Sequence, residues 1–141
     1  MSQENVKRLV EVREFFNRYG ASPESADPDA LQSFFRLLHP GASFEPQIAG
    51  MHGTYEGHDG VRRWLTDMAE HYTNVRMDYD EVRDVEDRVL ALGTFRITGK
   101  GSGIEMEGPM AIVASFQDGL LSDLKDYGDR AQALEAVGLS E

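Results

Sequence analysis

Near Asn74 the spacing of apolar residues changes from a helical period to a strand period, and that change decides what the chain can become. Before it, Val61, Trp64, Leu65, Met68 and Tyr72 recur at i, i+3, i+4, i+7 and i+11, one stripe of a helix. After it, Val75, Met77 and Tyr79 alternate with Arg76, Asp78 and Asp80, the mark of a strand with one face buried. Helices in the first half must therefore lie on a sheet made by the second half. The plan is α+β: a cone-shaped, mostly meandering antiparallel sheet enclosed by three helices of the N-terminal half, with a short C-terminal helix. At 141 residues the chain makes one domain, 1–141, able to bury roughly two thirds of its unfolded surface.

The helical half carries clear stops and starts. Leu9, Val12, Phe16 and Tyr19 define a first helix from about Asn5 to Tyr19, and Gly20 is a good residue to end it. Asp27-Pro28-Asp29 supplies an N-cap, a proline at the first helical position and a first-turn acid. Leu31, Phe34, Phe35 and Leu38 form that helix's buried stripe, with Pro40 expected to end it. Ala42 to Gln47 reads as a short strand and Ile48 to Tyr55 as a loop. Gly57 and Gly60 open the third helix, with Asp59 in its first turn and its end near Tyr72.

In the sheet half, the alternation slips at Val82 and Val85, which predicts a bulge near Asp80-Glu81. Val89 to Thr98 is the next strand, and Gly99 to Gly103 a hairpin tip. Ile104, Met106, Met110, Ile112, Ala114 and Phe116 are all even-numbered and share one sheet face. Ala111 and Val113 lie on the other face, leaving it apolar enough to meet a partner. Asp118-Gly119 suits a type I′ hairpin turn into a last strand from Leu120 to Tyr127. Gly128-Asp129 then starts a short helix through Ala131, Leu134 and Val137, stopped by Gly138.

Charge and composition narrow the function. Lys and Arg number 14 against 25 Asp and Glu, a net charge of −11 that makes nucleic acid and anionic membrane poor partners. Cysteine is absent, so disulfides, thiolate chemistry and the common zinc frameworks are excluded. The N-terminus leads into no apolar signal-like segment, and a cytoplasmic protein is expected. No histidine spacing or calcium-loop pattern suggests a metal, and no phosphate-cradling glycine loop suggests a nucleotide; neither metal nor cofactor is expected.

Four stretches carry a family resemblance: Leu38-His-Pro-Gly-Ala-Ser-Phe-Glu-Pro46, Tyr55-Glu-Gly-His-Asp-Gly-Val-Arg-Arg-Trp64, Asp87-Arg-Val-Leu-Ala-Leu-Gly93 and the segment from Asp126 to Leu139. In these the chain resembles the nuclear-transport-factor-2-like superfamily, and within it the SnoaL-like polyketide cyclase and ketosteroid-isomerase-related group. The resemblance spans nearly the whole chain. It implies a cone with a small-molecule pocket and a homodimer packed through the sheet face. It also implies that Asp126, on the last long strand, is the proton-handling group. Other positions depart from the group's mechanisms: the ketosteroid base would fall at Pro46, beside Glu45, and the central-strand acid near Pro109. The helix-one tyrosine would fall at Phe15 or Phe16, and the epoxide-hydrolase arginine and second aspartate at Gly93 and Phe95.

Read from the residues themselves, Asp126 shares a strand face with Leu124, which sets an acid beside an apolar lining residue. Its alternative role is to orient the last helix or pair with an arginine. Tyr55 and His52 are candidates to orient or polarise a substrate from the loop before the third helix. Against that, Tyr55 packs its ring under the loop, and His58 marks the helix boundary. Phe44, Trp64, Phe95, Tyr19 and Met110 are assigned to the pocket wall, as large or adaptable apolar side chains. Two functions stay open. One is a cofactor-independent acid–base catalyst of isomerase, cyclase or lyase type acting on a hydrophobic carbonyl compound. The other is a non-catalytic dimeric protein that binds a small apolar ligand.

Overall fold

The computed structural model describes residues 2–20, 22–47 and 53–139. Its elements run α1 (Ser2–Tyr19), a 3-10 turn (Pro23–Ser25), α2 (Pro28–Arg36), β1 (Leu38–Glu45), β2 (Tyr55–Glu56), α3 (Gly57–His71), β3 (Tyr72–Val85), β4 (Arg88–Gly99), β5 (Glu105–Gln117), β6 (Leu120–Asp126) and α4 (Arg130–Ala136). The six strands form one curved, unclosed sheet in the order β2-β1-β6-β5-β4-β3. The α+β plan and the change of period near Asn74 are both present. β3 to β6 form the meander, and β1 joins its far edge in parallel with β6.

Local rules explain most boundaries. Asp27 caps α2, its Oδ1 accepting the Ala30 N–H at 2.7 Å. The helix stops sooner than Pro40 demands, and Leu38 opens β1 instead of extending the helical stripe. Strand pairing takes the chain over early: Leu38 lies opposite Leu121, and the Leu121 N–H donates to the Leu37 carbonyl at 2.9 Å. Tyr55 and Glu56, expected in a loop, pair with Phe44 and Ser43 as a two-residue strand. The expected turn at Asp118-Gly119 has positive φ at both residues, 54° and 78°. The expected bulge lies between Tyr79 and Glu81, where the β3–β4 register shifts.

Two apolar layers result. On the concave face Leu9, Val12 and Phe16 of α1 and Val61, Trp64, Leu65 and Met68 of α3 pack against Val75, Met77, Ile112 and Ala114 of the sheet. Asn17 fixes α1 to the sheet by acting as a substitute strand: its Nδ2 donates to the Met77 carbonyl at 2.8 Å, and its Oδ1 accepts the Met77 N–H at 2.6 Å. The convex face carries Leu90, Leu92, Ala111 and Val113, and α4 covers them with Ala133, Leu134 and Val137. Part of the face expected to meet a partner is thus covered by the chain's own last helix. That helix is closed at its far end by Gly138, with φ of 79° and the Leu139 N–H returning to the Leu134 carbonyl at 2.8 Å.

Candidate functional site

Between α1, α3 and the concave face of the sheet lies a small cavity. Val12, Phe16 and Trp64 line it from the helices, and Met77, Tyr79, Phe95, Met110, Ile112, Leu124 and Asp126 from the strands, with Pro46 at the end of β1. Its volume is about 20 Å³. A water molecule needs roughly 10–15 Å³ of such space, and pockets for drug-sized ligands run to roughly 300–1,000 Å³. The open hollow expected from the cone is therefore nearly filled. Larger depressions lie on the outer surface, one of about 440 Å³ between Arg76, Arg96, Glu105 and Glu107. Both of its arginines are engaged in exposed ion pairs, Arg96 with Glu107 at 3.5 Å and Arg76 with Asp78 at 3.1 Å, whereas the inner cavity sets an acid among apolar side chains.

Asp126 is the acid on that inner wall, and it is 5 % exposed. The end of β6 holds it opposite Ile112 of β5. Its Oδ1 accepts two backbone N–H groups, Ala111 at 3.0 Å and Gly128 at 2.9 Å. Its Oδ2 has no hydrogen-bond partner among the described residues. Burial among apolar groups pushes its carboxyl above the usual aspartate range, and the two N–H donors pull it part of the way back. One oxygen thus fixes the Gly128 N–H in the chain leading to α4. The other is left for the cavity.

Two further polar groups share the wall. Tyr79 is partly buried, with its phenol pushed up by burial and by the Asp126 charge, against the pull of the Arg13 guanidinium 5.0 Å from the ring centroid. Trp64 is 3 % exposed, and its indole N–H has no acceptor among the described residues. A buried donor left unpaired costs about 1–3 kcal/mol. Its indole meets Phe16 at 4.4 Å and Phe44 at 5.5 Å between ring centroids, both edge to face.

The expected site residues divide. Asp126, Trp64, Phe95 and Met110 come together on the cavity wall. Phe44 is buried behind Trp64 and does not line the cavity, and Tyr19 packs on Phe15 at 5.2 Å. Tyr55 is also elsewhere: its hydroxyl donates to Asp67 Oδ2 at 2.8 Å, and burial with that bond raises its phenol to about 12. Its ring faces α3, with the Arg63 guanidinium 5.2 Å from the ring centroid. His52 lies outside the described residues. His58 stands in the first turn of α3 with Nε2 3.3 Å from the Leu38 carbonyl oxygen, which ties the helix to β1. Sequence reasoning missed Tyr79 as a wall residue. Its place in the alternation with Val75 and Met77 was the available signal. Among the described residues no group of three His, Asp or Glu side chains is placed to hold a metal, and no helix is long and apolar enough to cross a membrane.

Comparison with known proteins places this geometry. The SnoaL-like domain family model matches residues 11–124. No curated protein sequence matches the chain. Among solved structures, an NTF2-like protein of unknown function from Burkholderia pseudomallei is 23% identical, with 96% of this chain and 98% of that one covered at a TM-score of 0.73. TerC, co-crystallised with polyporic acid, is 18% identical over 95% of this chain and 98% of its own, at a TM-score of 0.71. A SnoaL-like polyketide cyclase, so described for Jannaschia sp. CCS1, is 15% identical over 89% of this chain and 85% of its own, at 0.69. At these identities the likeness to solved structures concerns the fold.

Proposed function

The chain belongs to the SnoaL-like domain family, and on that footing we propose that it is a cytoplasmic small-molecule pocket protein using Asp126 as a cofactor-independent acid–base group on a hydrophobic carbonyl compound. The observation that carries this reading is the division of labour within one carboxyl group. Oδ1 is fixed by the Ala111 and Gly128 N–H groups, and Oδ2 is unpartnered on an apolar cavity wall. A carboxylate held in that way is oriented and incompletely solvated, which strengthens it as a base.

In the simplest reaction, Oδ2 takes a proton from the carbon next to a carbonyl, the C–H electron pair moves into the enolate, and the same oxygen returns the proton to that carbon or to a conjugated one. Such positioned proton transfer contributes about 10²–10⁴-fold. Room for the substrate comes from displacing wall side chains. Met77 and Met110 are unbranched and adaptable, and Phe95 is only partly buried. Deuterium exchange tests the reading: cyclohexanone in deuterated buffer should exchange its α-protons faster with the protein than without it, and Asp126→Asn should abolish the difference. Equal exchange with and without the protein overturns the catalytic role.

A second reading has its own support. The almost wholly apolar wall fits a protein that holds an apolar ligand without turning it over, seated by the same displacement of wall side chains. Binding of cyclohexanone with no exchange would decide for it. A homodimer through the convex sheet face belongs to either reading, using the surface that α4 leaves open. Sedimentation at micromolar concentration distinguishes dimer from monomer.

A further inference from the structure

We propose that the indole N–H of Trp64 is the donor that holds an acceptor oxygen of the bound molecule, so the pocket selects ligands carrying such an oxygen over hydrocarbons of the same shape. The inference rests on the pocket reading above and adds the group that recognises the ligand. Tyr55, one of the polarising residues expected from the sequence, does not fill that role, since it is committed to Asp67 away from the cavity.

Three observations converge on Trp64. It is 3 % exposed, so bulk water does not serve its N–H, and no described residue accepts from it. It lies on the wall of the cavity that Asp126 also lines. Its close ring neighbours, Phe16 and Phe44, offer edges and faces but no oxygen. Buried donors in folded proteins are almost always paired, so a donor left open on a cavity wall calls for an acceptor from outside the chain, a water in the cavity or an oxygen of the molecule that displaces it. Tyr79 is a weaker candidate for the same task, because the residue is only partly buried and its hydroxyl is not among the buried groups left without a partner.

The ligand class follows from the set of groups. One N–H donor, one carboxyl and a wall of Val12, Phe16, Met77, Phe95 and Met110 suit a compact apolar ketone, ester or lactone. With a ketone seated, the N–H draws electron density toward the carbonyl oxygen. That is the polarisation an enolising proton transfer to Asp126 needs.

Trp64 is the chain's single tryptophan, so the protein has one indole N–H resonance and no other to confuse with it. The test titrates the full chain with cyclohexanone and, separately, with methylenecyclohexane, in which the oxygen is replaced by a CH₂ group. The methyl resonances of Met77 and Met110 report occupancy, and the indole proton reports the hydrogen bond. Expected is movement of the methyl signals with both compounds, a downfield indole shift with the ketone alone, and roughly twofold to tenfold tighter ketone binding. Trp64→Phe should erase that preference while still binding both; should the variant fail to fold, the two wild-type titrations decide. Methyl shifts with an indole proton that ignores the ketone would overturn the role of Trp64 and leave the pocket reading standing. No methyl shift with either compound would overturn the pocket reading and this inference together.

Discussion

The ring of Phe95 lies across Gly108, its neighbour on the adjacent strand, so closely that a Cβ on the glycine would stand 2.8 Å from both Cε2 and Cζ. Glycine at 108 therefore makes room for a cavity-wall ring. Gly108→Ala should force the ring to turn, lowering stability by about 1–3 kcal/mol and changing the cavity. In a double-mutant cycle with Phe95→Leu, the alanine should be nearly harmless once the ring is gone. Additive effects in urea unfolding would show that the contact does not govern the site.

Asp126 makes a claim about pH. Its folded-state value lies above the unfolded value of about 3.9, because burial outweighs the two N–H donors. The native state then holds its proton more tightly, so this group's contribution is fully present below about pH 3.9 and is lost as pH rises through the raised value. Asp126→Asn should remove that loss, since an amide oxygen can accept the same two N–H bonds without carrying charge. Urea midpoints measured from pH 4 upward should show the variant gaining on the wild type and then levelling. A wild type that gains on the variant would mean the carboxyl is depressed instead. Asp126→Ala should cost about 1–3 kcal/mol at any pH by stranding the Ala111 and Gly128 N–H groups.

How much of this was legible in the sequence depends on the range of the interaction concerned. The bulge after Tyr79, the Asp27-Pro28 helix start and the Asp118-Gly119 turn were readable because a few neighbouring residues determine each. Leu38 was misplaced for the opposite reason. Its pairing with Leu121 is distant in sequence and overrode a local helical stripe. Asp126 was reachable through strand parity and family resemblance, but its two N–H donors were not, since Ala111 is brought near only by the β5–β6 register. Phe44 and Tyr19 show the same limit: a large apolar residue reads identically whether it lines a cavity or packs one layer behind it. The near-filled hollow was illegible because free volume depends on all the side chains together.

Tyr55 should matter to stability and not to ligand binding. Its hydroxyl donates to Asp67 at 2.8 Å, and its phenol is raised to about 12. The contribution of this group is thus present below the ordinary value of about 10 and lost as pH climbs through about 12. Tyr55→Phe should cost about 0.5–1.5 kcal/mol at neutral pH, with a flatter alkaline unfolding curve. Cyclohexanone binding should be unchanged. A weakened affinity at unchanged stability would return Tyr55 to the site.

Gly93 should prove the least replaceable glycine of the sheet. It pairs with Tyr79 at the point where the β3–β4 register shifts, and a Cβ there would run into the carbonyl oxygen of Asp78. Backbone held in the β3–β4 ladder cannot swing aside as the Phe95 ring can. Overpacking against it should cost about 3 kcal/mol or more, enough to threaten a domain of ordinary stability. Gly101, at the hairpin tip, supplies the contrast: its φ is 87°, and a Cβ there would meet no described atom within 4 Å. Gly101→Ala should cost only the strain of a left-handed backbone, about 1–2 kcal/mol. Urea denaturation of the two variants side by side makes the comparison, and equal losses would mean that the bulge yields to the added Cβ.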